Sequence, residues 1–169
     1  MKVVLIGFAC CYKTSVGKLL ADKLRCKHID TDALIEFNAS ESISRIFAKK
    51  GEAAFRQAES QTLKSLAECG DTVISCGGGS PLQDGFELLV KGGKTVWLTA
   101  AAQTVKSRFG GSVRPLFDGK TTEELDALIK LRSLYYAKYA DITLSTDGLT
   151  SVQVADKLYC LLCGIQDTV

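Results

Sequence analysis

The sequence predicts an α/β protein in which helices cover both faces of a five-stranded parallel sheet. Short apolar runs alternate with amphipathic helical segments, the pattern of repeated β–α units. Most strand candidates carry continuous apolar runs rather than an apolar residue at every second position, as expected for strands that are buried on both faces. We therefore expect a three-layer α/β/α arrangement, with any ligand site at the carboxyl ends of the strands.

Strands are predicted where apolar and β-branched residues run together. The first such run is Lys-Val-Val-Leu-Ile, and the later ones have the same character. In chain order, the predicted strands cover residues 2–6, 28–30, 72–76, 94–98 and 142–145.

Helices are predicted where apolar residues recur three or four positions apart, as Val16, Leu20 and Leu24 do. Gly70 suits the end of the longest helix, and Pro81 suits the first turn of another. In chain order, the predicted helices cover residues 16–24, 33–37, 43–49, 52–69, 101–108, 122–139 and 152–162.

The segment between the helices over 101–108 and 122–139 is rich in glycine. Residues 109–120 contain Gly110, Gly111 and Gly119 together with Pro115. A connection of this length is usually functional or disordered, so we predict a mobile lid there.

Length, composition and charge limit the class of protein. With 169 residues, 46% of them hydrophobic and 24% charged, residues 1–169 are expected to form one folded domain. Lys and Arg number 21 against 19 Asp and Glu, a balance that argues against nucleic-acid or membrane partners. Seven irregularly spaced cysteines favour a reducing, cytoplasmic compartment over a disulfide scaffold. The balanced charge and the absence of an exposed apolar run favour a monomer.

The first predicted strand leads into a turn with most features of a phosphate-binding loop. Residues 7–14 read Gly-Phe-Ala-Cys-Cys-Tyr-Lys-Thr, and Gly7, Lys13 and Thr14 match the pattern GxxxxGK[ST]. Tyr12 does not match, because the pattern has glycine at that position. On these residues alone, nucleotide binding and an ordinary strand–turn–helix junction with a chance Lys-Thr are both open.

The chemistry of a phosphate loop depends on its backbone. N–H groups at the helix N-terminus hold phosphate oxygens, a lysine neutralises the terminal phosphates, and a hydroxyl reaches Mg²⁺. Glycine allows positive φ, and a left-handed tyrosine costs about 1–2 kcal/mol. A loop can bear that cost, at the risk of a distorted phosphate cradle around Tyr12.

Further residues that could bind a ligand or take part in a reaction follow the other predicted elements. Taken singly, they have plain structural explanations as helix caps, turns, ion pairs between helical neighbours or solvated charges. The set comprises, in order, Asp30-Thr31-Asp32, residues 51–59 (GEAAFRQAE), Gly77-Gly78-Gly79, Arg114-Pro115-Leu116, Arg132 with Tyr136, and Ala140-Asp141.

In order and spacing this set resembles the shikimate kinase family, over roughly residues 3–158. The resemblance implies a P-loop fold of the nucleoside-monophosphate-kinase type. It implies transfer of a phosphoryl group from ATP, with Mg²⁺, to the 3-hydroxyl of shikimate, on the route to chorismate and the aromatic amino acids. Shikimate would be the small-molecule partner.

The resemblance also implies roles for residues on the nucleotide side. Lys13 would contact the phosphates of ATP, Thr14 and Asp30 would hold Mg²⁺, and Arg108 would stack on adenine. The remaining members of the implied nucleotide site are Gly7, Cys10, Cys11, Tyr12, Ser15 and Arg114.

On the substrate side, the resemblance implies a shikimate-binding region over about residues 32–60. Asp32 would accept hydrogen bonds from the hydroxyls and act as the base, while Arg56 and Arg132 would clamp the carboxylate. The backbone of Gly77, Gly78 and Gly79 would approach the ring. The implied catalytic residues are Asp32, Lys13 and the lid residue Arg114.

This chain departs from the family at Cys10 and Tyr12, where the family loop has glycine. One hypothesis is an active kinase whose Tyr12 ring points away from the phosphates; the other is a degenerate kinase that binds a ligand or partner without turnover. The full set of substrate-side residues favours activity. Cys10 and Cys11, beside Lys13, suggest lowered thiol pKa values, with inert packing as the alternative.

Overall fold

The computed structural model describes residues 1–109 and 119–164, in which strands and helices alternate. The strands are β1 (Lys2–Ile6), β2 (Lys27–Asp30), β3 (Thr72–Ser75), β4 (Lys94–Thr99) and β5 (Ile142–Ser145). The helices are α1 (Lys13–Leu24), α2 (Thr31–Ala39), α3 (Ile43–Ser65), α4 (Phe86–Val90), α5 (Ala102–Arg108), α6 (Thr122–Tyr139) and α7 (Ser151–Cys163).

All five strands run parallel, in the order β2-β3-β1-β4-β5. The central strand, β1, pairs with β3 from Lys2 opposite Thr72, and with β4 from Val3 opposite Lys94. Every residue of β1 is buried, and the main apolar cluster joins this strand to side chains of α1, α6 and α7. The structure therefore confirms the predicted α/β class and the five-stranded parallel sheet.

The strand order decides where chemistry can occur. Because β2, β3 and β1 are neighbours and parallel, the segments that follow them meet at one edge of the sheet. These segments are the loop from Gly7 to Tyr12, the start of α2, and the glycine turn after β3. They carry most of the residues singled out in the sequence.

The structure differs from the sequence prediction mainly in the long helical region. The two helices expected over 43–49 and 52–69 form one element, α3, which is bent at Gly51 and ends at Ser65. Gly51 has φ 78° and ψ 174°, a conformation that is essentially restricted to glycine. The expected break is therefore present as a kink.

The prediction of a helix that starts near Pro81 is wrong. Pro81 lies in a 3₁₀ turn, Ser80–Leu82, and α4 begins only at Phe86. Gly85, with φ 91°, separates the two, because a left-handed residue interrupts a right-handed helix.

Two further observations concern the extent of the chain. Residues 110–118, which hold most of the predicted lid and its Arg114, lie outside the described residues. Within 1–109 and 119–164, no helix combines the length and the apolar character needed to cross a membrane.

Candidate active site

A cleft of about 530 Å³ lies where the segments after β1, β2 and β3 meet. It collects side chains from the phosphate loop, α2, α3, α5 and α6. The residues named from the sequence that line it are Cys10, Tyr12, Lys13, Thr14, Ser15, Asp30, Asp32, Arg56, Gly77, Gly78, Gly79, Arg108 and Arg132. Gly7 and Cys11 are not among its lining residues, and Arg114 is not described.

Gly7 and Lys13 shape the two ends of the phosphate loop. Gly7 has φ 141°, and a Cβ there would collide with the carbonyl oxygen of Leu98 in β4. Lys13, the first residue of α1, donates from Nζ to the carbonyls of Gly7, at 2.8 Å, and Phe8, at 2.7 Å. Its charge therefore lies across the loop rather than in open solvent.

The loop keeps a glycine-like backbone although cysteine and tyrosine stand at two glycine positions. Cys10 has φ 60° and Tyr12 has φ 63°, both left-handed. Each costs about 1–2 kcal/mol relative to a glycine. Even so, the Tyr12 carbonyl accepts the amide of Val16 at 2.8 Å, so α1 starts normally. The strain expected at Tyr12 is present, and Cys10 shares it.

The Tyr12 ring packs against the guanidinium of Arg108, whose Cζ lies 3.8 Å from the ring centroid. A cation–π contact contributes about 0.5–2 kcal/mol, which offsets part of the strain at Tyr12. Arg108 also donates to the Cys10 carbonyl at 3.2 Å, and to the hydroxyl and carbonyl of Thr146 at 2.8 and 2.6 Å. No sequence pattern singled out Thr146 as a site residue.

Asp30 connects the phosphate loop to α2. Its Oδ2 accepts the Thr14 hydroxyl at 2.6 Å, while its Oδ1 accepts the amides of Asp32 and Ala33 as the N-cap of α2. The helix cap offered from the sequence is therefore present, and the same side chain also binds the Thr14 hydroxyl.

The oxygens of Thr14 and Asp30 suit Mg²⁺. Mg²⁺ takes hard oxygen ligands and is usually held by one or two protein groups together with water and substrate phosphates. In the described part of the chain, no group of three or more His, Cys, Asp and Glu side chains is arranged to hold a metal. The donor set at Thr14 and Asp30 thus fits a phosphate-bound ion rather than a self-sufficient metal site.

Asp32 and the turn after β3 lie side by side. Thr31 accepts the amide of Gly77 on its hydroxyl at 2.9 Å. A Cβ on Gly77 would stand 2.7 Å from Oδ1 of Asp32, closer than real Cβ contacts come. Glycine is therefore needed at position 77 if the carboxylate of Asp32 is to keep its place in the cleft.

Two glutamates hold Arg56 at the cleft wall. Its Nη1 donates to Glu59 at 2.8 Å, and its Nε and Nη2 both donate to Glu52, at 3.1 and 3.0 Å. Glu59 is only 1% exposed, and its other oxygen accepts the Ser80 hydroxyl at 2.8 Å. Burial alone would lower the pKa of Arg56, but the hydrogen bonds to Glu59 and Glu52 raise it above its ordinary value.

Helix α6 fixes the middle of the glycine turn. The hydroxyl of Tyr136 donates to the Gly78 carbonyl at 2.7 Å, and a Cβ on Gly78 would lie 3.4 Å from Nη1 of Arg132. Burial raises the pKa of Tyr136 to about 12, so the phenol keeps its proton and remains a donor. Arg132 also lies over the ring of Phe8, 5.3 Å from its centroid.

A hydrogen-bonded chain behind the cleft links β2 and β3 to the start of α1. The Ser75 hydroxyl donates to the Lys13 carbonyl at 2.9 Å, and Nε2 of His28 lies 3.0 Å from the same hydroxyl. Because Ser75 donates to Lys13, it accepts from His28. Burial lowers the pKa of His28 below its ordinary value. His28 therefore has a structural role in joining β2 and β3 to α1.

The expectation of a lowered thiol pKa is wrong for Cys11. This side chain is 1% exposed, and burial raises its pKa despite the lowering effects of Lys13 and Arg108. Packing, the alternative stated from the sequence, describes Cys11.

The parallel sheet, the phosphate loop and the adjoining cleft lined by Asp32, Arg56 and Arg132 define a P-loop kinase of small molecules. The shikimate kinase family profile matches residues 9–162. The shikimate kinase of Moorella thermoacetica is 38% identical over 158 residues, which cover 92% of this chain and 91% of that protein. The shikimate kinase of Chlorobium chlorochromatii is 39% identical over 156 residues, which cover 86% and 82%. The chain therefore belongs to the shikimate kinase family, whose members are ATP-dependent kinases acting on an alcohol.

Solved structures give the same result. The shikimate kinase from Acinetobacter baumannii in complex with shikimate superposes with a TM-score of 0.90 at 29% identity, covering 99% of this chain and 95% of that one. The shikimate kinase from Bacteroides thetaiotaomicron superposes with a TM-score of 0.83 at 30% identity, covering 97% and 98%.

Proposed function

We propose that this protein transfers the γ-phosphoryl group of ATP to the 3-hydroxyl of shikimate, giving shikimate 3-phosphate and ADP. The observation that carries the proposal is one cleft lined both by Lys13 and Thr14 of the phosphate loop and by the substrate-side residues Asp32, Arg56 and Arg132. The reaction would serve the synthesis of chorismate and the aromatic amino acids.

On the nucleotide side, the chain supplies charge and backbone donors. Lys13 neutralises the terminal phosphates, and the amides at the start of α1, including that of Ser15, bind phosphate oxygens. Arg108 contributes a further charge at the cleft wall. Thr14 and Asp30 would hold Mg²⁺, which when bound neutralises negative charge on the phosphates.

On the acceptor side, the chain orients one small anion. Arg56 and Arg132 present guanidinium groups, which suit a carboxylate better than lysines do because they bind it in a bidentate manner. Asp32 orients the 3-hydroxyl and accepts its proton as the oxygen attacks the γ-phosphorus. The turn over residues 77–79 leaves room for the ring beside Asp32. Arg114 is proposed to contact both substrates, by resemblance alone.

The proposal is tested by measuring ADP release from Mg-ATP in a coupled assay, with and without shikimate. We expect release that depends on shikimate, and none with an analogue that lacks the 3-hydroxyl. The analogue controls for simple stimulation of ATP hydrolysis by an anion in the arginine site. Protein shown to be folded that releases no ADP with shikimate would contradict the proposal and favour a degenerate kinase.

A further inference from the structure

The contact between Tyr12 and Arg108 has no counterpart in a phosphate loop with glycine at position 12, because glycine has no side chain. The guanidinium Cζ lies 3.8 Å from the centre of the Tyr12 ring, which is stacking distance. Both side chains line the cleft that contains Lys13 and Thr14. The Tyr12 side chain therefore lines the nucleotide half of the cleft, where a glycine would contribute no side chain.

Tyr12 completes a set of contacts that hold Arg108 from several directions. In the plane of the guanidinium, Nη1 donates to the Cys10 carbonyl and the Thr146 hydroxyl, and Nη2 donates to the Thr146 carbonyl. Thr146 is itself buried and bonded to the carbonyl of Thr99 at the end of β4. The guanidinium also lies over the face of the Tyr12 ring, so the long side chain has one preferred arrangement.

The phosphate side of the loop keeps its own contacts in the presence of the ring. Nζ of Lys13 lies on the carbonyls of Gly7 and Phe8, and the hydroxyl of Thr14 lies on Asp30. The Tyr12 side chain packs on Arg108 instead. This arrangement favours a supporting role for the ring over an obstructing one.

We propose that Tyr12 is a positioning residue of the nucleotide site, which holds Arg108 through its ring so that the guanidinium is pre-arranged for bound ATP. The inference rests on the proposed function for the identity of the nucleotide, and it adds a residue that the phosphate-loop pattern excludes. It assigns to the strained tyrosine a contribution that glycine cannot make.

Three substitutions at position 12 distinguish the effect of the aromatic ring from the effects of side-chain volume and of backbone strain. Tyr12→Phe keeps the aromatic face, Tyr12→Leu keeps an apolar side chain without it, and Tyr12→Gly removes both the side chain and the left-handed strain. The readouts are the affinity for Mg-ADP by titration calorimetry, and the KM values for ATP and shikimate. We expect Tyr12→Phe to stay close to wild type. Tyr12→Leu and Tyr12→Gly should weaken Mg-ADP and raise the KM for ATP by about threefold to thirtyfold, with the KM for shikimate little changed.

A double-substitution cycle with Arg108→Lys identifies the partner of Tyr12. Lysine keeps the charge at position 108 but lacks the flat face that stacks on a ring. We therefore expect Tyr12→Leu to lose most of its effect on Mg-ADP affinity in the Arg108→Lys background. Equal effects in both backgrounds would overturn the inference, as would tighter Mg-ADP binding by Tyr12→Gly, since that result makes the ring an obstruction.

The calorimetric readout keeps this inference distinct from the proposed function. Wild-type protein that binds Mg-ADP with the expected coupling but does not phosphorylate shikimate would contradict the proposed function alone. Wild-type protein that is folded and binds no Mg-ADP would overturn the inference. A melting temperature measured for each variant shows whether a change in affinity comes from general loss of structure. If the Mg-ADP affinities of Tyr12→Leu and Tyr12→Phe fall together with their melting temperatures, the positioning role is refuted.

Discussion

Single residues in the cleft serve the fold and the site at the same time. Asp30 caps α2 with one oxygen and binds Thr14 with the other. Glu59 binds Arg56 with one oxygen and Ser80 with the other. In both cases each carboxylate oxygen has a separate partner, so the side chain is fixed in orientation as well as in position.

Asp32 is the residue whose charge the proposed chemistry needs most. Replacing it in Asp32→Asn keeps the shape but removes the proton acceptor. We expect kcat to fall by about 10²–10⁴-fold, with the KM for ATP little changed, in the coupled assay with shikimate. Asp126→Asn, on the exposed part of α6 beside Lys130, is the matched control. A kcat for Asp32→Asn within a few-fold of wild type would exclude Asp32 as the base.

Replacing Gly77 tests whether the turn after β3 needs glycine beside Asp32. In Gly77→Ala the new Cβ would stand 2.7 Å from Oδ1 of Asp32 and 3.2 Å from Oε1 of Glu59, so the carboxylate of Asp32 must shift. We expect the KM for shikimate to rise by about fivefold or more. Gly70→Ala is the control, because a Cβ there has no neighbour within 4 Å. Equal KM values for the two variants would show that the turn does not need glycine.

The sequence predicts site residues well where the signal is local and poorly where it is not. Asp30, Asp32 and Arg56 stand in short linear patterns, and the structure brings them to one cleft. Thr146 and Ser75 stand alone in the sequence, and their bonds to Arg108 and Lys13 span 38 and 62 residues. No local pattern records such contacts, because only the fold brings the partners together.

At the scale of elements, strand and helix centres follow from the sequence and the ends do not. Apolar spacing predicts α6 over 122–139 and β5 over 142–145, and the structure has both. Helix α1 begins three residues before the predicted range, at Lys13, because Tyr12 adopts the turn conformation of a glycine. Helix ends depend on caps and backbone conformations that apolar spacing does not report.

The link between β2, β3 and α1 through His28 predicts a pH effect on stability. Burial lowers the pKa of His28; Asp30 and Asp22 raise it and Lys18 lowers it, with smaller effects. The unfolded chain, with an ordinary pKa of about 6.5, therefore takes up the proton first as pH falls. The contribution of the neutral ring to stability is present above about pH 6.5 and is lost as pH falls from there toward the lowered folded pKa.

The measurement compares the free energy of unfolding in urea at pH 7.5 and pH 5.5 for wild type and His28→Gln. His28 is the only histidine, so no second imidazole contributes. We expect wild type to lose stability between the two pH values and His28→Gln to lose less. The test lies in the difference between pH values, since the substitution also removes the bond to Ser75 at every pH. Equal losses would contradict a role for His28.

At the scale of the molecule, we propose that the chain acts as one domain, and ligand binding tests this. Mg-ADP or shikimate at about 100 times its Kd should stabilise the folded state by about 2.7 kcal/mol. For a protein of this size that corresponds to a rise of roughly 5–11 °C in Tm by scanning calorimetry. We expect one transition that moves as a whole. Two transitions, of which one moves, would show separate folding units.

The central position of β1 has a consequence for synthesis on the ribosome. This strand is apolar from Val3 to Ile6 and buried along its length, but its two partners begin at Thr72 and Lys94. At about 5–20 residues per second, the translation of some 70 residues leaves β1 without its first partner for about 4–14 s. During that interval the strand is available to other nascent chains and to chaperones. Among the described residues, α1 is the element made before β3 that packs most extensively against β1. The yield of soluble protein should therefore respond to translation speed before β3 more than to speed after it.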